Sequence, residues 1–229
     1  MELDLWGKAL LDHYLGRHEI PLVLHTSFDD PELVSLEVFF RDQSEFSELE
    51  TLACNLCRGS VIDIGAGTGC HTVALQSRGF EVAALEKSTG ACEVMRRSGV
   101  NQVIEGDIYH YEIRGYDTAL MMMNGLGLAG TLQNLPTLLT KVMSCLEPSG
   151  QIIADSSDIA YLYRDLPMPS RKYYGELEYY YEYQGLTDDI FPWLFVDYQR
   201  LQKAVNQLGL KVEFLFEEDD QYLVRIFRS

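Results

Sequence analysis

The run Val61-Ile62-Asp63-Ile64-Gly65-Ala66-Gly67-Thr68-Gly69-Cys70-His71 constrains this chain more than any other stretch. An apolar strand pattern ends in a turn with glycine at every second position, and a helical pattern starts at once. Only glycine lets the backbone turn so tightly and come within contact distance of a ligand. The helix that follows aims its unpaired N–H groups and the positive end of its dipole at that place. The run predicts a nucleotide or nucleoside cradle at the carboxyl end of a strand. Dinucleotide-binding turns usually read G-x-G-x-x-G. Here the pattern is Asp-x-Gly-x-Gly-x-Gly, with the acid two residues before the first glycine.

From Ser60 onward strand and helix patterns alternate. Strands are expected at Ser60–Ile64, Phe80–Leu85, Asn101–Glu105, Asp117–Met123 and Gln151–Asp155. Helices are expected at Cys70–Ser77, from a Ser88 cap to about Ser98, and at Leu132–Leu146. Such alternation predicts a parallel sheet covered by helices on both faces. The apolar strands Val61–Ile64 and Ala119–Met123 suit its centre.

The flanks read differently. Residues 1–58 suggest a helix from Leu3 to Leu15, an extended piece that can form a short strand at Ile20–Leu24, and a helix capped by Ser44 that runs through Cys57. Residues 59–229 form the main domain, with an inserted hairpin at about 165–197. In that hairpin Tyr173–Tyr183 alternates with period two, placing Leu177, Tyr179, Tyr181 and Tyr183 on one face; Phe191–Val196 is its partner. Asp197 can cap a helix over Tyr198–Leu208, and Lys211–Phe216 with Gln221–Phe227 make a closing hairpin.

Composition narrows the function. The net charge is −17, and −8 of it falls in residues 1–58. No basic cluster is present, which counts against an RNA or DNA substrate. No segment approaches the roughly 20 apolar residues of a membrane span. Met1-Glu2-Leu3-Asp4-Leu5 lacks a signal-peptide pattern, so a cytoplasmic protein is expected. An odd number of cysteines, five, argues for free thiols. Cys54 and Cys57 form a C-x-x-C, but no second ligand pair follows, so no metal site is expected.

Two acids fall where a nucleoside needs them. Glu86 ends the second strand and can accept both hydroxyls of a ribose. Asp107 follows the third strand and can accept from an adenine amino group, while Ile108 covers the ring. Each also has a plain reading, as a solvated strand end and a turn aspartate. Asp63 can hold the glycine turn by accepting its backbone N–H groups, or face an ammonium group.

Asp63–Gly69, Glu86, Asp107–Ile108, Asp117–Asn124 and Leu146-Glu147-Pro148-Ser149-Gly150 together, in this order, resemble the motifs of the class I S-adenosylmethionine-dependent methyltransferases. The resemblance covers about residues 55–155 and the closing hairpin. It implies an α/β, Rossmann-like doubly wound, mostly parallel seven-stranded sheet whose last strand, 221–227, runs antiparallel between strands five and six. It implies S-adenosyl-L-methionine as cofactor, with Asp63, Gly65, Ala66, Gly67, Gly69, Glu86, Lys87, Asp107, Ile108, Met123 and Asn124 around it. Ser149 stands where a second glycine is common. No Asn-Pro-Pro-Tyr-like tetrapeptide follows strand four, which counts against the adenine- and glutamine-methylating members.

A small-molecule methyl acceptor is the expectation, on a monomer or homodimer. The open alternatives are a catalytically silent cofactor-binding or interaction subunit, an aminopropyltransferase and, last, a nicotinamide oxidoreductase. Methyl transfer is an in-line displacement, and the enzyme's main task is to align the reacting atoms at about 3 Å. A base helps only where the acceptor must lose a proton. His71 and Asn124 are the candidates near the reacting end; His71 can also contact a carboxylate tail or be a mere helix position. Arg41 can anchor a carboxylate, or pair with Asp42 or Glu45. Tyr179 and Tyr181 can wall an acceptor, and aromatic rings beside carboxylates suit an amine, another organic cation or a flat aromatic molecule. The hairpin can equally be a dimer surface.

Overall fold

A computed structural model describes residues 3–112 and 114–228. In chain order the elements are α1 (Leu5–Tyr14), β1 (Val23–Thr26), β2 (Glu32–Leu33), α2 (Glu48–Leu56), β3 (Val61–Ile64), α3 (Cys70–Ser77), β4 (Val82–Glu86), α4 (Thr89–Arg97), β5 (Gln102–Glu105), β6 (Tyr116–Met121), α5 (Leu135–Ser144), β7 (Leu146–Ser157), β8 (Glu176–Tyr183), β9 (Leu186–Thr187), β10 (Phe191–Leu194), α6 (Tyr198–Gln207), β11 (Leu210–Glu218) and β12 (Gln221–Arg228).

Seven strands form one sheet in the order β11-β12-β7-β6-β3-β4-β5. The pairs from β7 to β5 are parallel, and β12 runs antiparallel to both β7 and β11. This is the Rossmann-like methyltransferase arrangement. Alternation along the central strands sorts side chains to two faces. Ile62, Ile64, Ile152, Val224 and Ile226 pack with α5 and α6 through Leu138, Leu139, Val142, Leu201 and Val205. Val61, Ile153 and Leu223 pack on the other face with Leu49, Ala53, Cys54, Cys57 and Leu75 of and around α2 and α3. Cys54 and Cys57 are therefore core residues, and burial pushes both thiols up to about 12. Among the described residues no group of three or more histidines, cysteines and acids is placed to hold a metal, and no helix is long and apolar enough to cross a membrane.

Three sequence readings change. The cap of α2 is Ser47, not Ser44: its hydroxyl accepts the Glu50 N–H while the Glu50 carboxylate accepts the Ser47 N–H, a reciprocal capping box. Ser44 lies in a short 3-10 turn capped by Asp42. The strand ending at Met123 stops at Met121, because Met123 and Asn124 both take left-handed backbone, each with φ 61°. The short strand expected at Ile20–Leu24 lies at Val23–Thr26 and belongs to a separate sheet. β1 pairs antiparallel with β8, giving a second sheet β10-β8-β1-β2 with β9 beside β8. The hairpin and the N-terminal stretch thus form one layer, joined by backbone hydrogen bonds between His25 and Tyr180 and their neighbours.

α1 closes that layer onto the main domain. Asp4 caps α1 through the Gly7 N–H at 2.9 Å and accepts from Ser88 Oγ at 2.9 Å and the Gly90 N–H at 3.0 Å. A side chain at Gly90 would overlap the Gly7 backbone, so the two helices meet through glycines.

Candidate active site

A cleft of about 790 Å³ opens at the carboxyl ends of β3, β4, β5 and β6. That is within the roughly 300–1,000 Å³ of small-molecule sites. The glycine turn forms its floor. Gly65, Gly67 and Gly69 have φ of 72°, 58° and 83°, values that L side chains rarely adopt. A Cβ on Gly67 would meet no atom within 4 Å and would project into open space. Gly69 differs: a Cβ there would press on Met95 and Val100, so it serves packing behind the turn and does not line the cleft. The N–H groups of Gly65 and Ala66 are satisfied by the Leu85 carbonyl and that of Gly67 by Glu86 Oε2 at 2.8 Å. Asp63 therefore does not hold the turn. Buried, it accepts the Thr72 hydroxyl at 2.6 Å and lines the cleft, and burial raises its pKa.

Glu86 also takes the Ser88 N–H on its other oxygen at 2.8 Å, and the Lys87 N–H donates to it as well. Both oxygens are thus fixed in place with acceptor capacity left over. Burial raises its pKa against these bonds. Asp107 is held by the Tyr109 N–H at 2.9 Å, and buried Ile108 stands beside it. Glu86, Lys87, Asp107, Ile108, Ala66 and Met123 all line the cleft.

Asn124 does not. Its amide donates to the Leu194 carbonyl at 3.1 Å and accepts from Ser156 Oγ at 3.0 Å, and its side chain is spent on the core. The N–H groups of Asn124 and Gly125 donate to the two oxygens of buried Asp155, at 2.9 and 3.0 Å. Asp155 thereby fixes the left-handed reversal that presents Met122 and Met123 to the cleft. Sequence reading overlooked Asp155, although an acid ending the neighbouring strand is a visible signal.

Arg41 is turned to Glu50, not to Asp42 or Glu45, and does not line the cleft. Its Nη2 and Nη1 donate to the two Glu50 oxygens at 2.6 and 3.0 Å, and its Nε donates to the Val38 carbonyl. Glu50 Oε1 also lies 3.0 Å from His71 Nε2, and His71 Nδ1 lies 3.6 Å from Cys70 Sγ. Burial opposes charge on Glu50, yet His71, Arg41 and the Ser47 N–H hold it down to about 2. Burial likewise opposes charge on His71, yet Cys70, Glu50 and Asp63 raise it to about 10. Both ring nitrogens of His71 are engaged, and the upward shift disfavours the neutral imidazole that a general base needs.

The far wall is aromatic. Tyr179 and Tyr181 of β8 line it, together with Trp6, Phe39, Phe191 and Trp193, which sequence reading did not single out. The other hairpin tyrosines are structural: Tyr180 stacks on His25 across the sheet, Tyr183 bonds Asp12, and Tyr173 and Tyr174 bond Asp197 and Asp158.

These residues fit S-adenosylmethionine by their chemistry: acceptors at Glu86 and Asp107 for ribose and amino group, a buried carboxylate at Asp63 for an ammonium, and open space at Gly67 that a side chain would enter. Comparison with known proteins agrees. A methyltransferase-domain family model matches residues 62–154. The chain is 33% identical, over 100% of its length and 98% of the other's, to an S-adenosylmethionine-dependent methyltransferase from Bacteroides fragilis solved with S-adenosylhomocysteine, with a TM-score of 0.92. It is 22% identical over 184 residues (79% of this chain, 84% of the other) to an uncharacterized methyltransferase of Staphylococcus carnosus. A sugar N-methyltransferase from Streptoalloteichus shares the fold alone, at 14% identity over 88% of this chain and 96% of the other, with a TM-score of 0.61. The chain belongs to the S-adenosylmethionine-dependent methyltransferases, and S-adenosyl-L-methionine is its cofactor.

Proposed function

We propose that the protein transfers a methyl group to a small-molecule acceptor bound against the aromatic wall. One observation carries this: the cofactor-type residues and the wall of Trp6, Tyr179, Tyr181 and Phe191 line one continuous cleft. S-adenosylmethionine supplies the methyl group from a sulfonium whose sulfur leaves neutral. In this reading Glu86 accepts from the ribose, Asp107 and Ile108 hold the adenine, and Asp63 faces the ammonium of the amino-acid tail. The imidazolium of His71, kept charged by Glu50, supplies positive potential beside the tail's carboxylate. The Met122–Gly125 reversal sets the place where acceptor and methyl meet, so the chain contributes alignment and exclusion of water more than acid–base chemistry. Residues 1–58 and the hairpin at about 165–197 act together as the cap over this place.

The test is incubation of the protein with methyl-tritiated S-adenosylmethionine and a low-molecular-mass cell extract, followed by chromatography. Label in a new small molecule is the expected result. Label confined to protein or nucleic acid, or no transfer by protein that binds the cofactor, overturns the reading.

A further inference from the structure

The acceptor end of the cleft carries a chemistry of its own. Its rings form a connected wall drawn from separate parts of the chain. Trp6 meets Phe39 edge-on at 4.6 Å and stacks on Tyr181 at 5.4 Å; Tyr181 lies 5.6 Å from Phe191, which lies 6.0 Å from Tyr179. Asp188 is pinned into this wall. Its Oδ1 accepts the Tyr181 N–H at 2.5 Å and its own N–H donates to the Tyr181 carbonyl at 3.1 Å. Asp189 lines the cleft next to it. Among the described residues that line the cleft the cations are Lys87, next to Glu86, and the His71 imidazolium beside the glycine turn, both at the cofactor end. Ring faces and a fixed carboxylate attract an organic cation. An acceptor carrying a carboxylate or phosphate would meet like charge there.

Resting on the methyltransferase reading, we propose that the acceptor is a primary or secondary amine that binds as its ammonium ion against Trp6, Tyr181 and Phe191, with Asp188 as counter-ion. For transfer the ammonium gives one proton to water. The nitrogen lone pair then forms the new N–C bond while the C–S bond breaks, its electron pair staying on sulfur. The products are an N-methylammonium ion and S-adenosylhomocysteine.

Calorimetry tests this on protein saturated with S-adenosylhomocysteine. The probes are matched in shape and differ in charge: phenethylamine, 2-phenylethanol and 3-phenylpropionate, then cyclohexylamine, cyclohexanol and cyclohexanecarboxylate. Wild type is expected to bind the amines about tenfold or more tighter than their partners. Asp188→Asn keeps an oxygen for the Tyr181 N–H, so the hairpin should stand, yet most of that preference should vanish. Its affinity for S-adenosylhomocysteine should not change. Trp6→Leu should weaken the amines more than their uncharged and anionic partners. Amines binding no better than their partners, or as well to Asp188→Asn as to wild type, overturns the proposal. Failure of wild type to bind S-adenosylhomocysteine strikes the methyltransferase reading itself, and this proposal with it.

Discussion

Glu50 Oε1 lies 3.0 Å from His71 Nε2, and both side chains are buried. This pair ties the start of α2 to the start of α3, directly behind the glycine turn, and Arg41 completes it from the N-terminal layer. It makes stability depend on pH in a definite direction. The folded pKa of His71 is raised from 6.5 to about 10, so its contribution is whole below pH 6.5 and is lost as pH rises toward 10. That of Glu50 is depressed from 4.5 to about 2, so its contribution is whole above pH 4.5 and is lost as pH falls toward 2. Stability from the pair should be greatest between these limits. The melting temperature of wild type should decline from pH 6.5 to 10, and Glu50→Gln should flatten that decline and cost about 3 kcal/mol near pH 6. An unchanged slope in the variant would contradict the pairing.

The glycines of the turn should separate by role. At Gly67 an alanine finds room but a left-handed backbone, costing roughly 1–2 kcal/mol, and its methyl enters the cleft. At Gly69 the same strain is joined by overlap with Met95 and Val100. Gly67→Ala is expected to weaken S-adenosylhomocysteine binding more than it lowers the melting temperature. Gly69→Ala should do the reverse. Calorimetry and thermal melts on both variants measure this.

Asn124→Ala should behave as a stability variant. It leaves the Leu194 carbonyl and Ser156 hydroxyl without their partner and places alanine at φ 61°. A loss of about 2–4 kcal/mol in denaturant titration is expected from two buried hydrogen bonds and the backbone strain. Unchanged stability with abolished methyl transfer would return Asn124 to a catalytic role.

The parts legible in the sequence are those set by local spacing. Cys70–Ser77 follows a glycine turn, Thr89–Arg97 follows Ser88, and Tyr198–Gln207 follows Asp197, each with the cap the pattern indicates. The acids Glu86 and Asp107 fall at strand ends for the same reason. The Ser47 cap was legible too, since Glu50 follows it by three residues; Ser44 has no such partner. What could not be read are the long-range meetings. Trp6 reaches Tyr181 because α1 packs on β8, the strand that β1 joins, and nothing in the spacing of these segments announces that meeting. Arg41 found a carboxylate nine residues on in place of its neighbours because α2 turns Glu50 back toward it. Met123 gives no signal of left-handed backbone; Asp155, 32 residues later, supplies the N–H acceptors that hold the reversal.

The central claim is that Glu86 and the glycine turn hold S-adenosylmethionine, and titration calorimetry with S-adenosylhomocysteine on wild type and Glu86→Ala tests it most directly. Wild type should bind in the micromolar range, and the variant should lose about tenfold or more, or about 1.4 kcal/mol, while remaining folded. Equal binding by wild type and variant, or no binding by folded wild type, would contradict the account.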